Sequence, residues 1–190
     1  MKNKSILFNA NNTLSIDSKI ANTFAILIGS LLIGILAQIS IPIPFSPVPI
    51  TGQTIGVVLV GGVLGSKRGA ISIICYLLEG SLGLPVFANM KAGAHVLIGP
   101  TGGYLWGFIV AAFLIGYLKE KGFVNSPLNC FISCFISTTT ILLIGAFYLS
   151  ILTGDFSKGM NLGLYPFLVG DIIKSFICAI LLLGSNKFSS

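Results

Sequence analysis

"YPFLVGDIIKSFICAILLLG", residues 165–184, is long enough to cross a bilayer, and it carries Asp171 and Lys174 where hydrocarbon belongs. A transmembrane helix needs about 20 consecutive apolar residues. An ionisable group at its centre costs about 2.5–3.5 kcal/mol on the insertion scale. Groups three apart leave the same helix face, roughly 5–6 Å apart at Cβ. Counted from the start of the run, they lie about 8–13 Å deep at 1.5 Å rise per residue. Two readings follow. The pair neutralises itself and pins its helix to a neighbour, or both groups line a pocket and meet a ligand with separate polar ends.

The rest of the chain decides the solvent. Of its 190 residues 54% are hydrophobic and only 8% charged, and the mean hydropathy is +0.98. Soluble domains carry about 25% charged residues, so the composition predicts an all-α integral membrane protein. Six spans are expected, near 22–41, 50–65, 69–84, 102–118, 127–152 and 166–184. They form a single membrane domain over 1–190, with a polar leader at 1–21 and a bundle at 22–184. The first span is too long for a signal peptide and lacks a small-residue cleavage site.

Basic residues set the direction. With a cytoplasmic N-terminus, the inside segments hold Lys2, Lys4, Lys19, Lys67, Arg68, Lys119, Lys121 and Lys187, and the outside segments only Lys91 and Lys158. That asymmetry satisfies the positive-inside rule with both termini inside. The three outer connections are then long and the two inner ones brief, so ligand handling is expected outside. The net charge of +6 belongs to this topology. Nucleic acid is not an expected partner, because no basic face carries interleaved aromatics.

Other polar groups carry weaker signals. Glu79 reads as a solvated or capping carboxylate near the outer end of the third span, and His95 as a polar loop residue. Tyr104 and Trp106 fit an interface belt, and Tyr104 also fits a pocket wall. Cys75, Cys130, Cys134 and Cys178 form no CxxC pair and pack as small hydrophobes; no metal site and no cofactor are expected. Ala21, Ala25 and Gly29 recur every four residues, a spacing that serves either packing within the bundle or docking of a partner.

Four segments, "ISIPIPFSPVPITGQT" (39–54), "GLPVFAN" (83–89), "GPTGGYLWGF" (99–108) and "GDIIKS" (170–175), closely resemble the BioY family. The resemblance covers about residues 22–184. It implies the substrate-capture S component of an energy-coupling factor biotin transporter in the plasma membrane. Such a protein is not an enzyme. It works with a transmembrane T component and two cytoplasmic ATPases. By the same resemblance Asp171, Lys174 and Asn89 are binding residues: Asp171 accepts a ureido N–H of biotin, Asn89 donates and accepts, and Lys174 holds the carboxylate. Gln53 and Tyr104 join the candidate set. Ala21, Ala25 and Gly29 match the placement of the family's docking row on the first helix.

Three rival functions stay in view: an S component for another vitamin, a stand-alone biotin transporter, and an intramembrane enzyme. The last lacks HExxH, GxSxG and P-loop motifs.

Overall fold

The computed structural model describes the backbone of residues 4–187 and the side chains of residues 19–185. The long helices are α1 (Lys4–Ala37), α5 (Gly102–Glu120), α6 (Pro127–Thr153) and α8 (Leu168–Lys187). Two shorter ones, α2 (Gln53–Leu64) and α3 (Ser66–Ser81), stand where the second and third spans were expected. Most side chains of the 1–21 leader lie outside the described residues.

Among the described residues, four stretches are long and apolar enough to cross a membrane by length and composition: Lys19–Ala37, Gly102–Glu120, Pro127–Thr153 and Phe156–Ser185. The 12 residues of α2 extend only about 18 Å, short of a hydrocarbon core of about 30 Å.

The bundle is apolar on both sides. Phe24, Ile28, Leu31 and Ile35 of α1, Leu143 and Phe147 of α6, and Ile173, Phe176 and Ile180 of α8 are all exposed. A belt of that kind marks a membrane surface.

Inside, the core has two parts. One gathers Ile33, Val57, Tyr76, Phe87, Tyr104, Phe108, Ile141 and Phe167 around a cavity. The other packs Val58, Ile115, Leu182 and the thiols Cys130, Cys134 and Cys178. Those three cysteines are free and buried, as small hydrophobes.

Glycine makes the close packing possible where α2, α3 and α5 meet. A Cβ on Gly61 would clash with the Ala112 carbonyl oxygen. Gly65 turns α2 into α3 with φ +87°, in the left-handed region, which costs other residues strain.

The connections hold structure that the span pattern did not announce. After α1, strands β1 (Ser40–Ile41) and β2 (Ile50–Thr51) pair antiparallel, Ser40 opposite Thr51 and Ile41 opposite Ile50. The 82–101 connection contains a 3-10 turn at Ala88–Met90 and the short helix α4 (His95–Ile98). Before α8 come α7 (Phe156–Gly163) and a 3-10 turn at Tyr165–Phe167. Asp155 caps α7 by accepting from the Lys158 amide at 3.1 Å, which satisfies an otherwise orphan donor. All three connections lie at one end of the bundle and supply cavity wall.

Candidate functional site

Asp171 falls in the first turn of α8, and Lys174 one turn on. Their head groups diverge. Asp171 Oδ2 accepts from Thr139 Oγ1 of α6 at 2.7 Å, while Lys174 Nζ donates to the Thr51 carbonyl of β2 at 2.7 Å. No ion pair joins them, so the self-neutralising arrangement is not the one this fold adopts. Asp171 Oδ1 has no hydrogen-bond partner among the described residues. Asp171 is buried and Lys174 half-buried, and both line one cavity. Beneath them Thr138 Oγ1 and Ser175 Oγ share a hydrogen bond at 2.8 Å, and Ser175 donates to the Asp171 carbonyl. The hydroxyl run "STTT" at 137–140, inside an apolar helix, was the sequence signal for this support.

Asn89, Gln53 and Tyr104 line the same cavity, so all five candidate residues meet at one place. Asn89 sits on the exposed rim in the left-handed region, φ 59° and ψ 39°. Met90 follows at φ 56°. Asn tolerates that region better than most residues; for Met it costs about 1–2 kcal/mol.

Gln38, just past α1, holds this strained turn. Its Oε1 accepts from the Met90 amide at 3.1 Å, and its Nε2 donates to the carbonyls of Phe87 at 3.3 Å and Gly34 at 3.0 Å. Nothing in the sequence pattern identified Gln38.

Gln53 is buried and donates from Nε2 to Tyr76 Oη at 2.5 Å. Tyr76 in turn donates to the Val86 carbonyl at 3.1 Å. Tyr104 is buried and donates to the Gly163 carbonyl at 2.7 Å. It is therefore a cavity wall, not a member of an interface belt. Trp106 is exposed and donates to the Leu97 carbonyl at 3.2 Å.

The other polar and small residues divide by environment. Glu79 is half-buried, and its Oε1 accepts from Ser30 Oγ at 2.8 Å and ties α3 to α1. Lys91 belongs to the cavity rim, whereas His95 lies exposed in α4. The small-residue row divides. Ala21 is exposed and Ala25 half-buried, but Gly29 is buried, with Ser72 Oγ and Val60 Cγ1 at 2.8 and 3.1 Å from where its Cβ would be. Gly29 thus packs against α3 and α2.

The model of the BioY family matches residues 8–189. The chain belongs to the BioY family. The match reaches further toward the N-terminus than the motifs, taking in most of the polar leader. Among BioY relatives, a protein named biotin transporter BioY from Thermotoga maritima is 42% identical over 148 residues, covering 77% of this chain and 86% of the relative. Another of that name from Rhizobium etli is 37% identical, with 78% and 82% covered. The crystal structure of the S-component for biotin from an ECF-type ABC transporter superposes with a TM-score of 0.82. It is 30% identical, over 90% of this chain and 93% of that one. BioY membership fits the placement of the four motifs: three of them, 39–54, 83–89 and 170–175, contribute Thr51, Gln53, Asn89, Asp171 and Lys174 to the cavity, and the fourth contributes Thr101 and Tyr104.

Proposed function

We propose that this chain captures biotin at the outer face of a plasma membrane and passes it inward as the S component of an energy-coupling factor transporter. In this reading the bundle crosses the membrane six times with both termini inside, α2 and α3 crossing where the bilayer thins around them. The eight-to-two distribution of basic residues supports that orientation. The cavity then opens outward, with the 40–52 hairpin, the 82–101 connection and the 165–167 turn contributing to its wall. A transmembrane T component and two ATPases complete the machine, and Ala21 and Ala25 remain candidates for its docking face.

One observation carries the ligand assignment: a carboxylate and an ammonium on one turn of α8 point to different neighbours and leave polar capacity toward an apolar cavity. Biotin has matching ends. Asp171 Oδ1 accepts a ureido N–H, the Asn89 amide bonds the same ring from the rim, and Lys174 holds the carboxylate. Each hydrogen bond to a charged group is worth about 1.5–3 kcal/mol. Apolar walls from Phe87, Tyr104, Phe108 and Phe167 take the ring and tail.

Equilibrium titration of the purified protein with biotin, in competition with other vitamins, tests the reading. Saturable biotin binding without ATP, undisturbed by the others, is the expected result. Stronger binding of another vitamin reassigns the ligand. Lys174→Ala is expected to weaken biotin about 10- to 100-fold and biotin methyl ester much less. Equal losses for acid and ester remove Lys174 from the carboxylate.

A further inference from the structure

At the end of the bundle away from the cavity, an open groove runs between the α2–α3 turn and the end of α5. Lys67 and Arg68 come to it from the first, Lys119 and Glu120 from the second. Three cations thus share the groove with one carboxylate, and that carboxylate is already spent. Both Glu120 oxygens accept from Ser66, which also satisfies the first amide of α3. Arg68 is held in place: its Nε donates to the Leu64 carbonyl at 2.9 Å and its Nη1 to Asn22 Oδ1 at 2.8 Å, with Nη2 unclaimed among the described residues. The Lys67 and Lys119 ammonium groups make no hydrogen bond among the described residues. The groove therefore keeps two net positive charges that the fold does not use.

Beside the cations the surface turns apolar. Lys67, Ile71, Ile74 and Leu78 recur at helical spacing on one face of α3, and all four are exposed. From Lys67 to Leu78 is about 16 Å at 1.5 Å per residue, close to half of a hydrocarbon core about 30 Å thick. The neighbouring α5 repeats the order. Phe113 and Tyr117 are exposed with rings stacked 6.3 Å apart, and Lys121 Nζ lies 5.6 Å from the Tyr117 centroid. Charge at the head of an apolar face one leaflet deep is the complement of an anionic amphiphile. A soluble anion would need the cations alone, and an acidic protein segment would not need a stripe of that depth. The other end has no such cluster: Lys91 belongs to the cavity rim and Lys158 to α7.

We infer that this groove seats the phosphate of an anionic phospholipid of the inner leaflet, with its acyl chains along the exposed faces of α3 and α5. The inference rests on the orientation proposed above, which puts this end inside. Arg68 presents a fixed planar fork to the phosphate, and Lys67 and Lys119 act as point charges. Basic recesses between helix ends on the cytoplasmic side suit such headgroups.

Thermal melts of the purified full chain in neutral detergent test this, with phosphatidylglycerol titrated against phosphatidylcholine. Half-maximal stabilisation by phosphatidylglycerol is expected at a concentration about 30-fold lower, each of the two net charges being worth about fivefold. Glycerol phosphate, which has the charge and no chains, should leave the melt unchanged. Lys67→Gln combined with Lys119→Gln should cut the preference to about twofold or less, with biotin affinity kept as a sign of correct folding. Lys67→Arg should retain the preference, and Lys158→Gln, at the other end, should not alter it. Equal stabilisation of the parent by both lipids overturns the inference. So does a preference that survives the double substitution. Stabilisation by glycerol phosphate alone gives the groove to a soluble anion. No lipid preference, together with ATP-driven uptake lost in the double variant, gives it to an acidic protein segment; either result overturns the lipid. Orientation is checked apart from this: Lys67→Cys in intact cells should resist a membrane-impermeant thiol reagent until the membrane is opened. Labelling from outside overturns the orientation and the inner leaflet with it, whereas equal lipid effects strike the groove and leave the orientation standing.

Discussion

The two ends of the bundle each carry a carboxylate close to a helix terminus, and they use it differently. At the end away from the long connections, Glu120 closes α5. Its Oε1 accepts from the Ser66 amide at 2.8 Å and from Ser66 Oγ at 2.9 Å, and Oε2 accepts from the same hydroxyl at 2.9 Å. Both oxygens are occupied, and the carboxylate caps the start of α3. At the other end, Asp171 has one oxygen on Thr139 and the second unclaimed. The basic residues differ in the same way: Lys67, Arg68 and Lys119 share an open groove with Glu120, whereas Lys174 lines the cavity with Asp171. Charge in an oily sequence is therefore not enough to mark a ligand site. Unused hydrogen-bonding capacity is what separates the proposed binding group from the brace.

That contrast can be broken by exchanging each carboxylate for its amide. Asp171→Asn is expected to weaken biotin about 10- to 100-fold, the range for hydrogen bonds to a charged group, with little loss of thermal stability. Glu120→Gln should do the reverse: a lower melting temperature from the weakened cap and biotin affinity within about twofold of the parent, no ligand hydrogen bond being lost. Calorimetric titration and thermal melts of both variants decide it. A strong binding defect in Glu120→Gln would mean that the two ends are coupled.

Local pattern carried the sequence reading as far as local causes reach. Apolar length marked the helices, and the i, i+3 spacing put Asp171 and Lys174 on one face. What it could not supply were partners brought close by the fold. Gln38 meets Met90 from 52 positions away, and Glu120 meets Ser66 from 54. Gly29 repeats the small-residue spacing of Ala21 and Ala25, yet only the packing of α3 shows that its face is taken. The helix α7 was within reach, since Asp155 is a good cap residue just ahead of it. Hydropathy alone hid it, because its eight residues are too few to read as a span.

Gln38 sharpens the comparison from the rim side. If the 86–91 turn presents Asn89 only because Gln38 clamps it, Gln38→Met should release biotin about 10-fold faster, as the loss of two or three neutral bonds of about 0.5–1.5 kcal/mol each allows. Hydrogen exchange at Met90 should rise in the ligand-free protein, since its amide loses the Oε1 acceptor. Combined with Asn89→Ala, the two losses should fall short of multiplying, because Gln38 acts through Asn89. Independent, multiplying losses with unchanged exchange would show that the clamp serves general stability.

The smallest effect is expected at Tyr104. Its hydroxyl is spent on the Gly163 carbonyl, bridging α5 to α7, and its ring lies against Phe167 with centroids 6.4 Å apart. Tyr104→Phe keeps the ring and drops one neutral hydrogen bond of about 1 kcal/mol. A melting temperature lower by a few degrees and biotin affinity lower by about threefold should result, as the Tyr104 ring loses its anchor on the cavity wall. The ordering of the two losses is the informative part. Tyr104 is a brace in the sense that Glu120 is, its polar atom already committed to protein, so stability must fall at least as clearly as affinity. An unchanged melting temperature with a tenfold binding defect would mean that the hydroxyl leaves Gly163 for the ligand when the cavity fills. Tyr104 would then pass from the group of braces to that of Asp171.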